Sequence, residues 1–376
     1  MLRRDVLKGA AASAAWFAVS GCASRRVRAG KPTAAPGCAL PRINISADRE
    51  IRTTVGLRPF RPSGFVVRAE RIADKLLVHN YGHGGGGITL SWGTSKLAVD
   101  AAQLSTSTDV AVLGCGAVGL ATARLLQEHG HSVTIYTRDL PPNTTSNLAG
   151  GQWFPFMVFD PPRATPEFMN QFVAAAEFAY RRYQIMVGAR YGVRWMRNYF
   201  VRKDPFYEQG LIGNESRLRP FMPEFRDLNE REHPFGGYKF VRQFDSMIVE
   251  VPVYLSAMLA DFRQAGGTVA VREFHDAAEL GKLRESVIFN CTGLGSSALF
   301  NDPELVPVKG QLTFLLPQPE IDYAVLPDDL YMFPRSDGII LGGTHERGNW
   351  SLDVNAEAKA SILARHKQFF DSYRGC

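Results

Sequence analysis

The chain has 376 residues, a formal charge of +6, 45% hydrophobic residues and 21% charged residues. This is globular composition with room for two domains, and it excludes a disordered chain. No Lys/Arg run is interleaved with aromatics, so nucleic acid is not an expected partner. No apolar stretch reaches the length of about 18 residues that a membrane-spanning helix needs.

The N-terminus opens with Arg3, Arg4 and Lys8 ahead of a short run of small and apolar residues, Gly9 to Gly21. The run is too short to span and reads as a signal peptide over 1–21. The Arg3-Arg4 pair resembles a twin-arginine export signal. Val19-Ser20-Gly21-Cys22 resembles a lipoprotein cleavage box, which would make Cys22 the lipidated first residue of an exported, periplasmic or cell-envelope protein. The alternative is cleavage elsewhere, with Cys22 incidental. Residues 22–45, rich in Ala, Gly, Pro, Ser and Arg, read as a tether. Membrane contact is expected only through that anchor. The oligomeric state, a homodimer among the options, is not fixed by the sequence.

The stretch from Glu50 to Pro62 reads as a strand ending in a Pro-punctuated turn. Lys75 to Gly82 is a second strand, and it runs into four glycines, Gly84 to Gly87. Apolar residues at helical spacing follow from Ile88 to Leu104. After the polar linker Ser105 to Thr108, the segment 109–139 reads as strand, glycine turn, amphipathic helix and strand. Later, 166–187 and 251–264 read as helices, 287–290 as a strand, 308–343 as several strands, and 355–370 as a closing helix. A βαβ start with antiparallel-looking runs later predicts an α/β chain with two domains of different architecture.

Gly114, Gly116 and Gly119 form G-x-G-x-x-G directly after a strand and at a helix start. The first glycine permits the turn, the second lets the backbone approach a pyrophosphate, and the third lets helix pack on strand. The helix N-terminus offers free N–H groups to the phosphates. Asp139 lies where a ribose hydroxyl could be held. These features predict a dinucleotide but do not separate NAD from FAD.

Six further stretches do separate them: Thr137 to Phe156, Phe289 to Gly293, Tyr331 to Arg335, Leu341 to Trp350, Val55 to Pro62 and Val78 to Thr89. Together they resemble the D-amino-acid oxidase family of FAD enzymes. The resemblance implies a Rossmann-like FAD-binding domain (66–154 and 240–305) and an α+β substrate domain with an antiparallel sheet (46–65, 155–239 and 306–376). It implies FAD held by Gly114, Gly116, Val118, Gly119, Arg138, Asp139, Thr144, Thr145, Gly151, Gln152, Trp153 and Thr292. Gly84, Gly86, Gly87, Ile88 and Thr89 would complete the flavin loop. Arg58 would pair with the substrate carboxylate, Tyr331 would give it a hydroxyl, and Gly85 would present backbone to the reacting centre. The helix after the glycine loop points its N-terminus at the flavin, where its dipole favours the anionic reduced form. His79 and His83 do not read as a metal pair, and no metal is expected.

Four positions bear on substrate choice, among them Ser95, which stands where the family's glycine signature ends in alanine. Pro327 stands where many relatives have a second active-site tyrosine, so that contact is expected to be missing or supplied by Tyr323. Phe154 follows Trp153 where some relatives have glutamine, which implies a more apolar wall. His345 stands where relatives acting on acidic D-amino acids carry arginine, so a protonated imidazole is expected to accept a side-chain carboxylate weakly. A strand-end histidine without a substrate role is the alternative.

In that family the fingerprint comes first and the glycine loop last. Here the order is reversed, so the chain reads as a circular permutant of the D-amino-acid oxidase fold, joined through Ser105–Thr108. Termini of compact domains often lie close together, which makes this physically reasonable. A Cys38–Cys376 disulfide is expected to restore the lost link, and two free thiols are the alternative. The implied reaction is oxidative deamination of a D-amino acid with oxygen as acceptor. The competing readings are a flavin dehydrogenase that passes electrons to a membrane acceptor, and a flavin- or amino-acid-binding lipoprotein without turnover.

Overall fold

Two sheets organise the chain in the computed structural model, which describes residues 40–374. The expected signal peptide, Cys22, Cys38 and Cys376 lie outside the described residues. The first strands are β1 (Glu50–Phe60), β2 (Val66–Ile72) and β3 (Lys75–Tyr81), followed by α1 (Gly87–Ala102). Then come β4 (Asp109–Leu113), α2 (Ala117–Glu128), β5 (Ser132–Thr137) and α3 (Pro166–Ile185). The middle of the chain forms β6 (Val193–Arg202), β7 (Arg226–Leu228), β8 (Phe240–Val249), α4 (Val251–Gln264) and β9 (Thr268–Val271). The last part holds β10 (Val287–Asn290), α5 (Gly295–Phe300), β11 (Val306–Leu315), β12 (Tyr323–Pro327), β13 (Tyr331–Arg335), β14 (Gly338–Gly342), β15 (Glu346–Arg347) and α6 (Ala356–Asp371).

The smaller sheet has the order β2-β3-β10-β4-β5-β9. All its neighbours pair in parallel except the edge pair β2–β3. Parallel strands are covered on both faces, so they read as unbroken apolar runs. β4 and β10 are buried almost throughout. On one face Leu120, Leu125, Phe172, Tyr254 and Leu255 pack over the sheet, and on the other Leu77, Leu113, Leu280 and Ile288 cluster. α3 starts at a Thr165 cap, whose side chain accepts from Phe168 N at 3.1 Å, with Pro166 in the first turn.

The larger sheet has the order β1-β11-β14-β13-β12-β6-β8-β7, with β15 pairing β11. Its pairs are antiparallel except β12–β6. β8 had been assigned by position to the dinucleotide-binding segment, yet it pairs with β6 along its whole length. The reason is continuity of the ladder: ten register partners join β6 to β8, from Val193↔Val249 to Arg202↔Phe240. The crossing back to the smaller sheet falls at α4.

The expected tether also ends earlier than residue 45. Ile43 and Ile45 are buried beside Phe369 and Phe370 of α6. Arg42 donates to the Tyr373 carbonyl at 2.6 Å, and Gln318 clasps the backbone of Asn44 from both sides. The first and last described segments are therefore packed together.

Two buried histidines set an acid limit on this fold. Burial pulls the pKa of His83 down to about 3 and that of His366 down to about 4, from an ordinary 6.5. Between those values and 6.5 the unfolded chain binds more protons than the folded one, so stability rises with pH across that window. The contribution is complete above about pH 6.5 and is lost as pH falls toward about 4. Urea midpoints measured from pH 7 down to pH 4 are expected to fall continuously; a flat profile over that range contradicts the assignment.

Candidate active site

A cavity of about 1300 Å³ runs from the C-terminal ends of β3, β10, β4 and β5 to the face of the larger sheet. Ligands of open α/β sheets bind at those strand ends. The volume exceeds the roughly 300–1,000 Å³ of a pocket for one small molecule, which leaves room for a dinucleotide and a substrate together.

The pyrophosphate end is built by the fingerprint. Gly114 has φ +100°, and a Cβ there would stand 2.6 Å from the Cys291 carbonyl oxygen. Only glycine accepts that backbone without strain. Gly116, Ala117 and Val118 line the cavity at the start of α2. Ala117 N donates to Ser146 Oγ at 3.0 Å, and Thr144 and Thr145 line the wall beside it. Gly119 stands behind, where its α-carbon packs on the Gly114 carbonyl. Thr292 lines the opposite wall and donates to Asn290 Oδ1 at 2.8 Å.

Arg138 and Asp139 line the outer end, and they pair with each other at 2.8 Å. Arg138 also reaches Glu273 at 3.3 Å. The segment Arg272 to His275, directly after β9, lines the same end and was missed in the sequence. Its only signal is its place at the end of a parallel strand.

At the other end, Gly84, Gly85, Gly87 and Ile88 line the cavity. Gly85 N donates to the Met157 carbonyl at 3.0 Å, and α1 begins at Gly87. Gly86 is turned toward Val158 and Leu90 instead. Thr89 also faces away and donates to the Gln152 carbonyl at 3.4 Å. Gly151, Gln152 and Phe154 line the wall, with Gln152 fixed to Asn198 at 2.6 Å. Trp153, expected to touch the cofactor, is buried against Tyr180 and Phe221 and is not part of the wall. Its backbone joins β8 through Met247, which turns the indole into the core.

Arg58 and Tyr331 meet across the larger sheet. Arg58 Nη2 donates to Tyr331 Oη at 3.2 Å, and Nη1 donates to the Thr344 carbonyl at 3.3 Å. The guanidinium lies flat on Gly310, and the Tyr331 ring lies flat on Gly342. Gly310 is the diagonal neighbour of Arg58 on β11, and Gly342 is the direct partner of Tyr331 on β14. These two glycines were not singled out by motif; what marks them is only the strand register.

Tyr323 does not replace the missing tyrosine. Leu326 faces the cavity, and side chains alternate along a strand, so Tyr323 faces the opposite side. It is fully buried there, with its hydroxyl donating to the Pro41 carbonyl at 2.7 Å and close to Tyr373. Pro327 ends β12, and the turn Asp328–Leu330 leads straight into β13. His345 does line the cavity, but burial and then the Arg58 guanidinium hold its pKa at about 4. Its side chain is open to solvent on one side, and the lowered pKa disfavours the expected imidazolium–carboxylate contact at neutral pH.

The residues fit FAD. A glycine cradle meets a helix N-terminus at the strand ends, and Asn80 Oδ1 is buried in the cavity wall with no partner. A buried amide oxygen without a partner is costly and calls for a donor from a ligand. Among the described residues, no group of three or more His, Cys, Asp or Glu could hold a metal ion.

Comparison with known proteins agrees with this geometry. The family "FAD dependent oxidoreductase" matches residues 109–374. The D-amino-acid oxidase of Rubrobacter xylanophilus is 31% identical over 273 residues, 70% of this chain and 78% of that protein. The human D-aspartate oxidase is 30% identical over 266 residues, 68% of this chain and 74% of that protein. The crystal structure of glycine oxidase from Geobacillus kaustophilus shares the fold with a TM-score of 0.55 at 17% identity, over 72% of this chain and 81% of that one. With a mixed α/β fold, a dinucleotide cradle and a match over most of its length, this chain belongs to the FAD-dependent oxidoreductases, and FAD is its cofactor.

Proposed function

We propose that the protein oxidatively deaminates D-amino acids to 2-oxo acids, ammonia and hydrogen peroxide. The observation that carries this reading is the Arg58–Tyr331 pair, a guanidinium and a hydroxyl 3.2 Å apart in the cavity wall. Among the described residues Arg58 has no carboxylate within ion-pair distance, so its counter-ion is left to a ligand. A planar fork suits an α-carboxylate, and the phenol adds a donor to the same group. FAD, when bound, accepts the two electrons of the substrate Cα–H bond and is reoxidised by oxygen. The chain's own part is to orient the α-carbon and to exclude water with Phe154, Phe156, Leu312 and Leu326. The preference for the D-form rests on the named relatives, at 31% and 30% identity.

The test is anaerobic mixing of the full chain, purified with FAD, with D- and L-alanine and D- and L-glutamate. Bleaching by a D-form, then fast recovery and peroxide in air, is the expected result. Slow recovery in air points to a dehydrogenase, and no bleaching by any amino acid removes the reading.

The same reading makes the fold a circular permutant, exported and lipid-anchored through Cys22. Two observations support permutation. The family match begins at Asp109, the first residue of β4, while residues 50–102 supply strands to both sheets. The first and last described segments also touch, through Arg42 and Tyr373. A Cys38–Cys376 bridge would close that junction. Thiol counts on the denatured protein are expected to rise by two after reduction, and equal counts would remove the bridge.

A further inference from the structure

Four arginines line the cavity: Arg58, Arg138, Arg202 and Arg272. Arg138 is paired with Asp139 and Glu273, and Arg272 stands 3.5 Å from Glu279. Among the described residues, Arg58 and Arg202 have no carboxylate within ion-pair distance. Arg58 already has its ligand in the reading above. Arg202 does not.

Arg202 is the last residue of β6. Its Nη1 donates to the carbonyls of Val201 at 3.0 Å and Leu326 at 2.9 Å, and among the described residues Nε and Nη2 have no hydrogen-bond partner. The register sets its face. Phe200 pairs with Leu326, and Arg202 is two residues beyond Phe200 on the same side of the sheet. Leu326 in turn neighbours Tyr331, because Val325 pairs with Met332. Arg202 therefore belongs to the wall that carries Tyr331 and Arg58. Desolvation lowers its pKa against the opposing pull of Asp328 and Asp329, which line the same cavity beyond ion-pair distance. The nearest acids are committed elsewhere: Asp329 pairs with Arg365, and Asp328 accepts from Tyr238 at 3.4 Å.

Resting on the oxidase reading, we propose that Arg202 is a specificity-determining residue that receives a second carboxylate, on the substrate's side chain. The Arg58 guanidinium lies over β11 and that of Arg202 beside β12, with β14 and β13 between. Three strand spacings are about 14 Å. A dicarboxylate of about five carbons spans much of that gap, with one charge-assisted bond at each end. The side-chain cation thus comes from β6.

The experiment uses the full-chain holoenzyme with wild type, Arg202→Met and Arg202→Lys. The first readout is perturbation of the bound flavin spectrum on titration with glutarate or butyrate. Wild type is expected to bind glutarate at least about tenfold more tightly than butyrate, an advantage that Arg202→Met removes and Arg202→Lys partly restores. The second readout is kcat/KM. Arg202→Met is expected to lose about 100-fold on D-glutamate, mainly through KM, and to stay within about threefold on D-alanine. Equal affinity of wild type for the two acids overturns the proposal, as does an equal loss on both substrates. Absence of turnover with every D-amino acid overturns the oxidase reading alone, because the glutarate–butyrate comparison still decides the role of Arg202.

Discussion

Arg58→Met is expected to lower kcat/KM for D-alanine by about 1000-fold, equivalent to about 4 kcal/mol of lost interaction. The variant keeps the length of the side chain and removes the fork. Its hydrogen bonds to Tyr331 Oη and the Thr344 carbonyl go as well, so the phenol loses the group that orients it. Arg58→Lys is expected to recover only part of the rate, because an ammonium is a point charge without the paired donors of a guanidinium. FAD content and the visible flavin spectrum should not change, since the fingerprint and glycine loop belong to the other sheet's strand ends. Steady-state oxygen uptake and a flavin assay decide it. A loss smaller than about tenfold would mean that another cation carries the α-carboxylate.

What the sequence disclosed follows from which interactions are local. The βαβ unit and α6 were legible because apolar spacing and glycine turns act within a few residues. The glycine loop and fingerprint were legible for the same reason, although their order was unusual. Arg58 and Tyr331 are 273 residues apart, and only the resemblance put them together. β8 was hidden because polar residues interrupt its apolar pattern: Arg242 is buried and held by Asp227 at 2.7 and 2.8 Å. Of the two options at Pro327, the structure excludes Tyr323 as the replacement: it lies three residues before the cavity-facing Leu326, so strand alternation turns it to the opposite face. His345 lines the cavity, and the lowering of its pKa by desolvation and by Arg58 is something spacing does not report. The roles of Gly310 and Gly342 come entirely from register across β1, β11, β14 and β13.

That register yields the second large effect, in Gly342→Ala. Gly342 stands directly opposite Tyr331, and the phenol ring lies on its α-carbon. A methyl group there would fall well inside van der Waals contact with the ring and its oxygen. β14 is buried along its length, and Tyr331 O is held 3.1 Å from His366 Nε2, so neither backbone has room to retreat. Phe333 stacks against the Tyr331 ring with centroids 5.0 Å apart. The remaining freedom is rotation of the ring away from the sheet, which carries the hydroxyl off Arg58. Gly342→Ala is therefore expected to lower kcat/KM about 100-fold, with a stability loss of about 1–3 kcal/mol from overpacking. A general weakening of the fold would produce the stability loss alone, so a double-mutant cycle separates the two. In a Tyr331→Ala background the ring is gone and the methyl group has space. There Gly342→Ala is expected to cost less than about threefold further activity, because the two changes act on one interaction. If the activity losses multiply instead, Gly342 acts on the strand and not on the phenol. Gly310→Ala, tested against Arg58→Ala in the same way, is expected to show the same non-additivity, since the Arg58 guanidinium occupies the equivalent space on β11.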